Sequence, residues 1–441
     1  MPKLLLNWTT CERRAEKDIK KKLLISIASL LTLAIAALML LPGTQNIRHD
    51  VLPVLRETIS PTLGKVYWKV TQQLKGQYPE AADTVFVEEY VRLNQEYRQL
   101  ARQLQRERAQ GNEGKNVSAL QMRLEEVGAE LDAVSPFAEA VVEQQVTEII
   151  REEGLLLLGG RVLPPPKFVF AKSYYILVTS PRREIHLEYT RLLGRDLSLA
   201  DQERIELGVE EEDPDLAALV VPVGGLATFY PAQIYHRGSI ARLLEISVHE
   251  WLHQYLYVAS PLGRTYLQGG RMRTINETIA NILGRELGDR VYERYYATPE
   301  EAAHLEEAYR EYLETLAARP DFEPPVEEEE GFAFSPFMRE TYLEATRLLE
   351  QGHIGEAESF LEERHQRLLE EGYSIRRLNQ AYFAFYGTYA DSPSAIDNIG
   401  PALAQLRLKT PSVAEFLAIV KGVSSYEDFL AVMDEQRIPL P

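Results

Sequence analysis

Hydrophobic positions along the chain change their period several times, and each change predicts a different element. Leu23 to Leu41 is uncharged, with only Ser26, Ser29 and Thr32 as polar interruptions. As a helix this run spans about 28 Å, one hydrocarbon thickness. Residues 42–82 are mixed and broken by Pro53, Pro61 and Pro79. Next, Phe86, Tyr90, Leu93, Tyr97, Leu100 and Leu104 alternate steps of four and three, and Leu120, Leu124, Val127, Leu131 and Val134 resume the stepping after Gly111-Asn112-Glu113-Gly114. Two coiled-coil-like seams around a glycine-containing turn predict an antiparallel helical hairpin. A further helix follows over 136–155, carrying Val141, Val142, Val146, Ile149 and Ile150, and Leu163-Pro164-Pro165-Pro166 closes it off.

The pattern then turns to strands at Phe168-Val169-Phe170, Tyr174 to Val178 and Leu219 to Val223. Leu243, Leu244, Ile246, Val248, Trp251, Leu252 and Leu256 restore a helical period with few polar positions, the mark of a buried helix. From Glu300 onward the chain is almost wholly helix-forming. Pro324-Pro325 with Glu327 to Glu330 marks an exposed loop, and two short packing helices are expected between Ser412 and Asp434. The expected fold class is α+β, mostly α: one N-terminal transmembrane helix, a helical-hairpin stalk, a small mixed sheet and a helical C-terminal part. The corresponding boundaries are a basic tail over 1–22, an anchor over 23–41, the juxtamembrane segment and hairpin over 42–135, a central domain over 136–300 and the helical part over 301–441.

The chemistry concentrates on the buried helix. His249-Glu250-Trp251-Leu252-His253 reads H-E-x-x-H. Residues four apart share a helix face, so the two imidazoles can supply half of a tetrahedral Zn2+ site, and Glu250 can take a proton from water in the open position. Downstream, Asn276-Glu277 and Asn281 lie on a second helical stretch, with Glu277 and Asn281 on one face. Thr274 and Glu277 also fit a capping box, which would make Glu277 a helix cap instead of a ligand.

An H-E-x-x-H helix followed by N-E-x-x-A resembles the gluzincin zinc metallopeptidases, over roughly residues 165–400. That resemblance implies Glu277 as the third zinc ligand beside His249 and His253, and Asn281, where the clan commonly has Asp, as the residue bonded to a ligating histidine. It implies a tyrosine donor for the oxyanion from the C-terminal helical part, for which Tyr386 and Tyr389 are the candidates. It implies also that Gly224, Gly225 and Leu226 form the edge strand that pairs with substrate backbone; a bulge or tight turn at the two glycines is the alternative. Glu245 is a candidate partner for a ligand, and Arg273 a candidate clamp for a substrate carboxylate or oxyanion. His186 and His236 are candidate cleft residues. The expected activity is hydrolysis of a peptide or protein substrate with Glu250 as general base. The alternative is an inactive, metal-stabilised envelope scaffold working through the hairpin.

Charge and cysteine usage place these elements. Residues 1–22 hold seven Lys/Arg and three Asp/Glu, a net +4 against −18 for the chain, which leaves −22 on the remainder. A basic flank before the apolar run predicts a cytoplasmic N-terminus with the body exported across the inner membrane. The run exceeds a usual signal-peptide core and no small-x-small site follows it, so an uncleaved anchor is expected. An acidic body argues against nucleic acid as a partner. Cys11 is the only cysteine, so no internal disulfide is available.

Overall fold

The computed structural model describes residues 78–109 and 114–439, except 172–173, 196, 228, 237, 267–269, 319–331, 374 and 388–397, together with Lys65, Trp68, Lys69, Thr71 and Gln72. These residues belong to one compact unit. Helices α1 (Val85–Ala109) and α2 (Lys115–Glu152) form the expected hairpin. Phe86 stacks on Phe137 with ring centroids 5.0 Å apart, and Arg123 pairs with Glu96, so the contacts run in opposite senses along the two helices. The helix expected separately over 136–155 is the second half of α2, which continues through Pro136. Proline inside a helix costs about 3 kcal/mol, and here the helix is buried on the side that follows it: Ala138, Val141, Val142, Val146, Ile149 and Ile150 all lie in the main core.

That burial changes the meaning of the hairpin. Val87, Tyr90 and Val91 of α1 join α2 in the same hydrophobic core as the H-E-x-x-H helix, so the expected stalk is part of the body at its base. Only its far half, around 114–126, is largely exposed. The same core also takes in Phe416, Phe429 and Met433 near the C-terminus, and therefore draws on all three of the regions that the sequence divides at 135 and 300.

Strands make two small sheets. The first has the order β1-β6-β5, with β1 (Phe168–Phe170) parallel to β6 (Ala232–Ile234) and β5 (Gly225–Leu226) antiparallel to it. The second has the order β3-β2-β4, wholly antiparallel, from β2 (Tyr174–Pro181), β3 (Tyr189–Arg195) and β4 (Leu216–Pro222). Between β3 and β4 lies α3 (Leu199–Glu212), opened by a capping box of Ser198 and Asp201. Two long helices carry the metal motifs, α4 (Ile240–Ala259) and α6 (Gly270–Tyr295), joined through the short α5 (Pro261–Arg264). The remainder is α7 (Pro299–Ala317), α8 (Phe334–Glu350), α9 (Ile354–Glu370), α10 (Gln380–Tyr386), α11 (Ile399–Lys409), α12 (Val413–Val420) and α13 (Tyr426–Glu435).

The expected fold class is therefore corrected. The chain is mainly helical, with two three-stranded sheets in place of one, and the hairpin is no separate stalk. Among the described residues no helix is long and apolar enough to cross a membrane. Leu23 to Leu41 lies outside the described residues.

The outer edge of β1 is closed in an unusual way. Its Phe168 and Phe170 N–H groups donate to Glu143 and Glu139 at 3.1 and 2.8 Å, and their carbonyls accept from Lys69 and Lys65 at 2.7 and 2.8 Å. Each pair of side chains is spaced four residues apart on a helix, so two carboxylates and two ammonium groups satisfy the backbone that a neighbouring strand would otherwise take.

Candidate metal centre

Helix α4 starts where the Ser239 hydroxyl accepts the Arg242 N–H, and it is buried on nearly every side. A helix of this kind orients polar side chains tightly because only a narrow sector is left for them. His249 and His253 occupy that sector. At its C-terminal end Ser260 caps α5, which folds straight back: a Cβ on Gly263 would overlap the Leu256–Tyr257 backbone. This return delivers Tyr266 to His253, ring centroids 5.3 Å apart and edge-on.

Helix α6 begins at Gly270, whose φ of 53° suits glycine. Thr274 lies inside the helix, a turn past its start, so the capping-box alternative for Glu277 does not hold. Ala280, Gly284 and Gly288 make a small-residue notch along α6. A Cβ on Gly284 would sit 3.1 Å from His249 Cβ, and one on Gly288 would sit 2.8 Å from Glu245 Cα. The missing side chains let the two helices approach closely at His249, which brings Glu277 into reach.

His249 Nε2 and His253 Nε2 are 3.0 Å apart, and Glu277 Oε2 is 3.4 Å from each. Zinc bonds of about 2.0–2.1 Å set tetrahedral ligand–ligand edges near 3.3–3.4 Å. These three residues are the group of potential metal ligands found among the described residues. Three further observations fit a cation. Glu277 Oε2 is buried without a hydrogen-bond partner. Asn276 Oδ1 accepts from His253 Nδ1 at 2.7 Å, which leaves a lone pair on Nε2. Tyr266 donates to Glu277 Oε1 at 2.6 Å, which leaves Oε2 as the free ligand atom.

Without a cation, His253 and Glu277 hold a proton between them. Burial alone would lower the His253 imidazole, but the Glu277 carboxylate beside it outweighs burial and pushes it up to about 9. Burial would raise Glu277, yet the two imidazoles hold it well below the usual carboxylate range. Comparison of the chain with protein-family models, curated proteins and solved structures gave no match.

Glu250 is buried, and burial raises its carboxyl; Glu277 adds to the rise while the imidazoles of His249 and His253 oppose it. Its place is set by β5. A Cβ on Gly225 would overlap the Glu250 carboxyl, and the Ala227 N–H donates to it. One turn on, Gln254 Nε2 donates to the carbonyls of Ala227 and Phe229 at 3.1 and 2.7 Å, tying the β5–β6 connection to α4. Gly225 and Leu226 form the edge strand of the first sheet, with Gly224 exposed just before it.

Other expected residues lie elsewhere or take other partners. Tyr386 packs on the second sheet with Tyr382, Val178, Leu219 and Val221, in a cluster that holds no residue of α4 or α6. Tyr389 lies outside the described residues. Asn281 lies one turn past Glu277 on α6, and Asn276, just before Glu277, is bonded to the His253 ring. Glu245 turns to Arg242, one turn back on α4. His186 is exposed on the β2–β3 connection. His236 is buried as a structural residue: its Nε2 donates to Ser239 O at 2.8 Å, Asn94 donates to its Nδ1 at 3.2 Å, and burial lowers it to about 4. Arg273 stands beside Tyr266, its guanidinium carbon 5.3 Å from the ring centroid.

Tyr266, Asn276, Gln254, Gly263, Gly284 and Gly288 escaped the sequence reading. The three glycines were open to discovery: Ser-Pro-x-Gly is a cap-and-return signal, and Gly-x-x-x-Gly marks close helix approach.

Proposed function

We propose that this protein is a zinc-dependent peptidase. The observation that carries the reading is the triangle of His249 Nε2, His253 Nε2 and Glu277 Oε2, with two edges of tetrahedral length, a third somewhat shorter at 3.0 Å, and a buried carboxyl, Glu250, on the helix of the two histidines. Zinc, when bound, supplies the Lewis acidity that makes water a competent nucleophile at neutral pH. Glu250 takes the proton as water attacks the peptide carbonyl and delivers it to the leaving amine. A carboxyl raised by burial suits both steps, since its basicity is closer to the working pH than that of an exposed glutamate. Asn276 and Tyr266 hold the ligands in orientation. The edge of β5, fixed to α4 through Gln254 and Ala227, offers backbone groups to an extended peptide beside Glu250.

Metal analysis and one substitution test this reading. Protein purified without chelator is expected to hold close to one equivalent of zinc, and Glu250→Gln to keep the zinc while peptide hydrolysis falls by about 10³-fold. Zinc below about a tenth of an equivalent, or a Glu250→Gln protein as active as its parent, overturns the proposal.

A further inference from the structure

Arg273 is the fourth residue of α6 and sits one turn before Glu277, so both leave the helix on one face. The Tyr266 ring stands between the guanidinium and the ligand cluster: it faces Arg273 at 5.3 Å, stands edge-on to His253 at 5.3 Å, and its hydroxyl binds Glu277. Arg273 is half-buried, and its Nε is buried with no hydrogen-bond partner. Among the described residues no carboxylate pairs with it, in a chain that holds 66 Asp and Glu. Several partly or fully buried arginines are matched, Arg290 with Glu286, Arg377 with Glu210 and Arg407 with Glu286, whereas Arg285 lies over the Tyr312 ring. A planar fork of donors left with an open position next to a ligand wall calls for a planar anion.

We propose that Arg273 recognises a carboxylate of the substrate, and that the peptides taken by this site carry that carboxylate within about three residues of the scissile bond. The proposal rests on the peptidase reading above and names its substrate class. A C-terminal carboxylate and an Asp or Glu side chain present the same fork to Arg273. The protein as a whole is acidic and repels such peptides at long range, so the preference has to come from this local cation.

The test separates recognition from hydrolysis. Full-length, zinc-loaded Glu250→Gln protein is titrated by calorimetry with an N-acetylated alanine tetrapeptide bearing a free C-terminal carboxylate, with its C-terminal amide, and with amides carrying one Asp at each position in turn. The carboxylate form is expected to bind at least about tenfold more tightly than the plain amide. Arg273→Met, added to the same background, is expected to remove that difference with zinc content unchanged, and Arg273→Lys to keep part of it. The Asp series identifies the source: recovery of affinity at one Asp position assigns a side chain, and no recovery assigns the chain terminus. Equal affinity for carboxylate and amide, or a difference that survives Arg273→Met, overturns the proposal. Zinc content and hydrolysis by the parent protein judge the peptidase reading separately, so either can fail without the other.

Discussion

Two of the buried charge clusters in this molecule are treated in opposite ways. At the β1 edge, Lys65, Lys69 and Lys167 face Glu139 and Glu143, and the side chains also saturate the strand backbone. Even Glu139 Oε2, which lacks a well-directed hydrogen bond, has the Lys69 ammonium 2.8 Å away. Burial would lower Lys69, but Glu139 and Glu143 raise it, so it stays charged. The metal centre is the reverse: two imidazoles and a carboxylate converge with Glu277 Oε2 and Asn276 Nδ2 left over. Buried polar groups are normally satisfied. A saturated, nearly neutral cluster is explained by the fold alone, whereas one with converging lone pairs and orphaned atoms is explained by something it binds.

The largest expected effect separates the clusters directly. Lys69→Met leaves buried carboxylates short of a cation, and should cost about 3–5 kcal/mol in urea unfolding, with the zinc stoichiometry of the folded protein unchanged. Glu277→Gln should abolish zinc binding yet cost the metal-free protein far less, because His253 can shed its proton. Similar unfolding costs for the two would erase the distinction. Next, Gly225→Ala forces Glu250 aside, and activity should fall by about 10²-fold while zinc is retained; full activity would mean that β5 does not position the base.

Much of this contrast was legible in the sequence and part was not. H-E-x-x-H and Glu277 were readable because ligand spacing within a helix follows from its period alone. The role of Asn276 was not, since it depends on how α4 and α6 dock, which Gly263, Gly284 and Gly288 decide through tertiary contact. The strand at Phe168–Phe170 was readable from its composition, whereas β3 and α3 carry too few apolar positions to announce themselves. The hairpin reads as a stalk because its period marks only the seam between its two helices, and nothing in the sequence marks Glu139, Glu143 or Gln145 as buried. Yet all three are buried: Glu139 and Glu143 meet Lys69 and the β1 backbone, and Gln145 donates to the Ala81 carbonyl.

Smaller effects sharpen the metal side. Asn276→Ala and Tyr266→Phe should each weaken zinc binding by about 10–100-fold, measured by competition with a chelator. Zinc binding at pH 7 should release about one proton, the one shared by His253 and Glu277, seen as a dependence of the binding enthalpy on the buffer. The same proton sets a stability trend. His253 is raised to about 9 in the folded, metal-free protein, so its contribution is fully present below about 6.5, the unfolded value, and is lost as pH rises through 9. Thermal unfolding of metal-free protein between pH 6.5 and 9 should show this loss, and the zinc-loaded protein should not.

The Lys/Glu closure of β1 also makes the first sheet asymmetric in what it can accept. One border presents only side-chain ammonium and carboxylate groups already engaged with the strand; the other is β5, whose sole strand partner among the described residues is β6. A stray polypeptide, or a second copy of the chain, finds no template for growth on the β1 side. Recruitment of a fourth strand is thereby funnelled to the border that carries the Glu250 carboxyl, and a defence against aggregation doubles as a device for directing traffic.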